Sequence, residues 1–172
     1  LFAGKPLRGG PEAIAKLGIA HVPEGRGTFV DLTVTENLRI GAYTRRDGGL
    51  KADIERMAGY FPWIHERGGQ RAGTLSGGER KMLAIGRAML GNPKLLLLDE
   101  PTEGVWIGVI EEITERLTEL AKSISVVIVE QHLDLALRVA DYAYVLDRGR
   151  VALQGEAAKV RSDPELLRYL AP

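Results

Sequence analysis

Two short stretches of the 172-residue sequence hold residue types at spacings that could do chemistry. The first is Leu75-Ser76-Gly77-Gly78-Glu79. Ser76 with Glu79 three residues later forms a capping box, which starts a helix by exchanging hydrogen bonds between each side chain and the other's backbone. The first amides of a helix have no intrahelical partner and lie at the positive end of its dipole, so a start opened by two glycines can receive an anion such as phosphate. An ordinary capped helix with a glycine pair in its first turn has the same residues. The second stretch is Leu95-Leu96-Leu97-Leu98-Asp99-Glu100-Pro101-Thr102. Ligands of parallel sheets collect at the carboxyl ends of strands. That places Asp99 to hold Mg²⁺, through water, and Glu100 to orient or deprotonate an attacking water. A lone Asp-Glu pair is more simply explained as solubilising the strand end and capping the next turn.

The elements that must position these residues are legible from periodicity. Met82, Leu83, Ile85 and Leu90 give the helix after Ser76 one buried stripe, which ends at Gly91. Residues 94–98, Lys94 followed by a continuous run of four leucines, have the pattern of a parallel strand covered on both faces. Val109, Ile110, Ile113, Leu117 and Leu120 share a helix face, and Ser125 to Val129 follows as the next buried strand, completing a βαβ unit. Upstream, residues 11–17 predict a helix closed by Gly18, then a strand at 19–22. Thr33 with Glu36 is a second capping box, opening a helix to about Ala42; 45–49 reads as a loop and 53–60 as a helix. Downstream come a helix over 133–140, a hairpin of 142–146 and 151–153 about Arg148-Gly149, and a closing helix over 164–170 capped by Asp163. The expected fold class is α/β with a parallel sheet and a mostly helical segment over about 33–90.

Composition narrows the class of partner. The sequence is 45% hydrophobic and 27% charged, enough for a sizeable core, and Lys plus Arg equals Asp plus Glu at 23 each. No overall charge excess would hold the chain on nucleic acid or anionic lipid. Cysteine is absent, which removes disulfides, thiolate nucleophiles and Cys-based metal sites. The apolar runs at 95–98 and 124–129 are far shorter than the roughly 18 residues a membrane span needs. His21, in a strand, and His65, in a polar loop, have no second ligand at metal spacing. The opening residues do not form a signal peptide, and a start on Leu1 suggests an internal beginning.

The conjunction of the two motifs, a phosphate-type helix start followed after one helix by a strand with terminal acids, resembles the signature and Walker B motifs of ATP-binding-cassette (ABC) ATPases. The resemblance covers essentially the whole chain. It implies a P-loop NTPase fold with a parallel core and a helical signature subdomain, residues 33–90 being that subdomain and 91–172 the carboxyl-terminal part of the core. It implies ATP and Mg²⁺ as cofactors. Partners would be a second ATPase subunit, the same or different, and transmembrane permease subunits; nucleic acid is not among them. The expected location is peripheral, on the cytoplasmic face of the cell membrane. In the family two subunits face head to tail, so Ser76, Gly77, Gly78 and Glu79 would contact nucleotide held by the other subunit, while Asp99 and Glu100 act in cis. A helix from Gly77 to about Leu90 rises roughly 20 Å, so Ser76 and Glu100 of one chain bracket a single phosphate only if the helix returns beside the sheet.

Two departures refine the resemblance. The family's usual loop glutamine is matched by Glu24, in Val22-Pro23-Glu24-Gly25-Arg26, and its switch histidine by Gln131, in Val129-Glu130-Gln131-His132. Spacing to Asp141 favours Gln131 over His132. Both changes resemble the LivF-like ATPases of branched-chain amino-acid importers and their relatives for urea and amides, which implies catalytic roles for Glu24 and Gln131. Trp106 stands near a position where the family's D-loop commonly has Asp or a small polar residue, so a dimer seam would have to accommodate an indole. Tyr60, Phe61 and Trp63 could dock a permease helix or form a satellite core cluster. No G-x-x-x-x-G-K-[ST] phosphate loop occurs, and Gly4-Lys5 is followed by Pro6. The family places that loop before the Leu1 equivalent, so the chain by itself is expected to be inactive. A soluble ABC ATPase of the DNA-repair or translation type, or a non-catalytic remnant that binds a partner, are the competing functions.

Overall fold

The apolar runs pair in parallel, as the helical crossovers between them allow. In the computed structural model, which describes residues 1–25 and 27–170 (for Leu170 the backbone only), β1 (Ile19–Val22), β2 (Leu95–Asp99) and β3 (Ser125–Val129) form a three-stranded sheet in that order. Ile19 lies opposite Leu95 and Leu95 opposite Ser125, and the register continues to Asp99 opposite Val129. Residues in parallel register share a face. Leu96 and Leu98 turn inward, at 0% and 2% exposure, whereas Val127 and Val129 on the opposite face are 50% and 56% exposed. The expected two-sided burial of β2 is therefore not observed: Leu95 and Leu97 are only half-buried. A continuous apolar run reports the hydrophobicity of both faces but not what covers each.

Two of the helices begin where capping chemistry puts them. α1 (Pro11–Lys16) ends at Gly18, whose φ of +89° a glycine adopts without a Cβ clash. α2 (Val34–Gly41) and α5 (Gly77–Met89) both start with a complete capping box, at Thr33/Glu36 and Ser76/Glu79. α3 (Leu50–Tyr60) starts earlier than residue 53, because Arg45 pairs with both Asp47 and Asp53 and folds the preceding loop back on the helix. α4 (Trp63–Glu66) was not expected; His65 sits in it rather than in a loop and pairs with Glu55 Oε2 at 2.9 Å. Phe61 is 1% exposed and Ile64 is buried, so this aromatic segment serves the core, while Trp63 is half-buried.

α5 carries the stripe read from the sequence: Met82, Leu83, Ile85 and Leu90 are all buried. Each such side chain contributes on the order of 1.5–3 kcal/mol of transfer free energy. One flank of α5 packs on α2, another on β1 and on α6 (Ile107–Ala121), so a single helix joins the helical segment to the sheet. Ile113, Leu117 and Leu120 form the buried face of α6.

The chain divides into two compact units, Leu1–Val129 and Glu130–Pro172. The second holds α7 (Leu133–Val139), the antiparallel pair β4 (Tyr142–Asp147) and β5 (Arg150–Glu156), α8 (Ala157–Arg161) and α9 (Leu166–Leu170). Arg148 and Gly149, both at positive φ, make its two-residue turn. Both strands run longer than read from sequence, and α8 was missed because its five residues are too few to show a period. Leu137, Ala157, Val160 and Leu166 form the buried cluster of this unit. Asp163 precedes α9, and its Oδ1 accepts from the Glu165 amide at 2.9 Å.

Candidate functional site

Ser76 stands in extended conformation before α5 and its Oγ accepts from the Glu79 amide at 3.2 Å, while Glu79 Oε2 accepts from the Ser76 amide at 2.8 Å. Partial burial pushes the Glu79 carboxyl up, but the Ser76 amide and hydroxyl together with Arg67 outweigh it, so Glu79 lies below the usual carboxylate value. The amides of Gly77 and Gly78 have no hydrogen-bond partner among the described residues. The two glycines do different work. A Cβ on Gly78 would lie 2.5 Å from Val109 Cγ1, so its smallness lets α6 approach; one on Gly77 would meet only the Gly104 carbonyl at 3.4 Å, an ordinary contact. Among the sequence-predicted anion-site residues, Gly77 is half-buried and Gly78 buried.

Asp99 is the last residue of β2 and Glu100 follows it with φ at +45°, a left-handed backbone that is rare for a residue with a Cβ. The Glu100 amide donates to the Val129 carbonyl at 2.9 Å, which extends the sheet register by one bond. Its carbonyl accepts from Lys81 Nζ at 2.9 Å. The start of α5 therefore does return beside the strand end within one chain.

The loop after β1 brings a third predicted residue to the same place. Glu24 is exposed, and its carboxyl is raised above the ordinary value, first by the charge of Glu103, then by desolvation, by a side-chain hydrogen bond with Glu103, and by Asp99 and Glu100. Glu24 thus lies within electrostatic reach of Glu103, Asp99 and Glu100 at the end of β2. Glu103 was not singled out in the sequence, because an acid in a turn carries no periodic signal. Asn37 was also missed. It is fully buried in α2, where its Oδ1 accepts from the Phe29 amide at 2.9 Å and its Nδ2 donates to the Phe29 and Thr33 carbonyls at 2.9 and 3.0 Å. That amide fixes the segment between Glu24 and α2; an Asn inside a helix directly after a capping-box Glu is the clue the sequence offered.

Gln131 belongs to the second unit. Its amide and that of His132 both donate to Glu130 Oε1 at 3.0 Å, and His132 Nδ1 lies 3.1 Å from the same oxygen. Glu130 therefore shapes the turn that presents both side chains. Trp106, at the N-cap of α6, is 74% exposed, and its ring lies over Gly108, where a Cβ would come within 2.0 Å of Cζ3. The indole is folded along its own helix.

The arrangement of a capped glycine-rich helix start beside a strand ending in two acids agrees with what the chain is similar to. A family model described as "ABC transporter" matches residues 1–103. The high-affinity branched-chain amino acid transport ATP-binding protein BraG of Pseudomonas aeruginosa is 42% identical over 167 residues, 96% of this chain and 72% of that protein. A probable branched-chain amino acid transport ATP-binding protein, LivF of Archaeoglobus fulgidus, is 40% identical over 149 residues, 86% of this chain and 63% of that protein. The crystal structure of the ADP conformation of an ATP-binding cassette of an ABC transporter superposes with a TM-score of 0.78 at 28% identity, covering 94% of this chain and 71% of that one. The match by family model over more than half of the chain, and by identity over nearly all of it, has one consequence: the chain belongs to the ATP-binding proteins of ABC transporters.

Proposed function

We propose that the chain forms part of an ATPase subunit that energises an importer, with branched-chain amino acids as the transported class. What supports the class of solute is the identity to two branched-chain amino acid transport proteins. What supports the chemistry is that, within one compact unit, Glu24 lies within electrostatic reach of Asp99, Glu100 and Glu103, and Lys81 of α5 bonds to Glu100.

In this reading Glu100 takes the proton of the attacking water or orients it, and Asp99 would hold Mg²⁺. The donors fit that ion: they are hard carboxylate oxygens, and Glu24 beside them is raised by the charges of Glu103, Asp99 and Glu100, which a cation would offset. Among the described residues no group of three or more His, Cys, Asp or Glu side chains could hold a metal by itself. Mg²⁺ is bound by one or two carboxylates together with phosphate oxygens and water. Mg²⁺, when bound, supplies neutralisation of phosphate charge. Ser76 and the unpartnered Gly77 and Gly78 amides receive phosphate oxygens, in trans if the subunit pairs head to tail as the family resemblance implies; Glu79 holds Ser76 in place for this. Glu24 joins Asp99 and Glu100 in the catalytic role, and the family resemblance implies a catalytic role for Gln131 as well.

The partners are a second ATPase subunit and a membrane permease, with the chain peripheral on the cytoplasmic face. Among the described residues no helix is long and apolar enough to cross a membrane. To test the reading, the chain is joined to the amino-terminal segment of the P. aeruginosa relative, where the family carries its phosphate loop. Glu100→Gln should lower ATP turnover by about 100-fold or more while ATP still binds. A Glu100→Gln fusion that turns over like its parent would remove Glu100 from the mechanism.

A further inference from the structure

Glu100 occupies a backbone conformation that persists only where its surroundings over-determine it. Its amide donates to Val129 at 2.9 Å and so belongs to the sheet. Its carbonyl accepts from two donors: the Glu103 amide at 3.2 Å and the Lys81 ammonium at 2.9 Å. The ammonium gives the shorter bond and the one with a charge behind it, which makes it the stronger of the two. Lys81 belongs to α5, in the turn that follows Ser76. The bond is partly buried and spans nineteen residues of sequence, so it joins two separate elements and not neighbours along a helix.

We propose that Lys81 is a positioning residue for Glu100: it fixes the peptide plane from which the Glu100 side chain projects and ties that plane to the helix beginning at Ser76. The proposal rests on the reading of Glu100 as the group that handles the attacking water. A lysine with its head in solvent would leave the Glu100 carbonyl with the longer Glu103 bond alone. The residue would then be free to relax toward negative φ, which re-aims its carboxylate. The same link makes the helix start and the carboxylate move together, so that an anion drawing on the Gly77 and Gly78 amides also acts on the Glu100 peptide.

The test has two parts. In the unfused chain, Lys81→Met should shift the Glu100 carbonyl-carbon and amide resonances and change its φ-reporting three-bond coupling, whereas Lys81→Arg, which retains length and donors, should leave them near the parent values. In the fusion that carries a phosphate loop, Lys81→Met should lower kcat about 10-fold, the size expected for losing one charged hydrogen bond, with KM and nucleotide affinity unchanged. Lys81→Arg should recover most of it, and Lys81→Met added to Glu100→Gln should cost nothing more. A lysine that merely stabilises the fold would lower the melting temperature in both Met and double variants without this pattern. Unmoved Glu100 resonances, an unchanged kcat, or a rise in KM at constant kcat in Lys81→Met would overturn the proposal. Failure of the underlying reading looks different: Glu100→Gln alone would then keep parent turnover, and the resonances would report only on the Lys81 hydrogen bond.

Discussion

The molecule contains the same helix-starting device twice, and the two copies end in opposite conditions. Thr33/Glu36 and Ser76/Glu79 are both complete capping boxes, with side-chain oxygens 3.2 Å from the third amide in each. At α2 the remaining amides are spent inside the protein: Val34 donates to the Gln70 carbonyl and Thr35 to the Gly68 carbonyl, both at 3.0 Å. At α5 the corresponding amides, those of Gly77 and Gly78, have no partner among the described residues. A capping box is therefore a statement about where a helix begins. Whether that beginning can bind an anion depends on whether the rest of the fold has already used its amides.

The sharpest way to break this comparison is to block each start in turn. In the fusion, Ser76→Arg should lower turnover about 100-fold or more by filling the space before the free amides. Thr33→Arg should leave turnover within about twofold and cost on the order of 1 kcal/mol of stability, the worth of an N-cap. Mixing Ser76→Arg with Glu100→Gln extends the test to assembly. If Ser76 acts in trans, each heterodimer keeps one intact composite site and activity returns; an inactive mixture with heterodimers present would overturn the trans role.

A smaller effect separates the two glycines. Gly78→Ala drives a methyl into Val109 and should destabilise the chain by about 1–3 kcal/mol, read as a lower urea midpoint at unchanged slope. Gly77→Ala has room and should change the midpoint little. Equal losses at both positions would mean that the glycine pair is needed for backbone freedom rather than for the approach of α6.

The capping boxes, the strand runs and the acids at the end of β2 were legible because each is local: a hydroxyl, an acid three residues on, an apolar run of strand length. β1 and β3 begin and end where the sequence put them. What was not legible depends on residues far apart in the chain. The exposed face at Val127 and Val129 could not be told from the buried one at Leu96, since an apolar strand looks alike on both sides. Asn37 and Lys81 act through bonds to Phe29 and Glu100; the place of Asn37 behind a capping-box Glu hints at a polar role without naming Phe29, and nothing around Lys81 announces its partner. That Gly78 also lets Val109 approach was not legible, since Val109 lies thirty-one residues away in the chain.

Acid separates the boxes from the rest of the fold by a modest amount. Glu36 is held below its ordinary value by the Thr33 backbone amide first and its hydroxyl second, and Glu79 is also lowered. A carboxyl whose folded value is depressed contributes stability above its unfolded value, and that contribution is lost as pH falls through the folded one. The loss should therefore fall below about pH 4.5, the ordinary Glu value. Urea midpoints taken between about pH 5 and pH 3 should decline less steeply in Glu36→Gln and in Glu79→Gln than in the parent.

The smallest expected effect has the opposite sign and comes from the acid cluster. Glu24 is raised, chiefly by Glu103, so the folded chain prefers it protonated. A carboxyl with a raised folded value contributes stability below its unfolded value, and loses that contribution as pH rises through the folded one. At neutral pH, then, ionised Glu24 opposes folding, and Glu24→Gln should raise the urea midpoint slightly at pH 7. The difference should vanish below about pH 4.5, where both the parent and the variant are neutral at this position. Because the side chain is exposed, salt should shrink the difference, and millimolar Mg²⁺ should shrink it further than an equal ionic strength of a monovalent salt if the cluster draws a divalent cation. A midpoint that falls on Glu24→Gln would show that the carboxylate makes a favourable contact worth more than its repulsion from Glu103, Asp99 and Glu100. It would also separate Glu24 from the neighbours with which the proposed mechanism groups it.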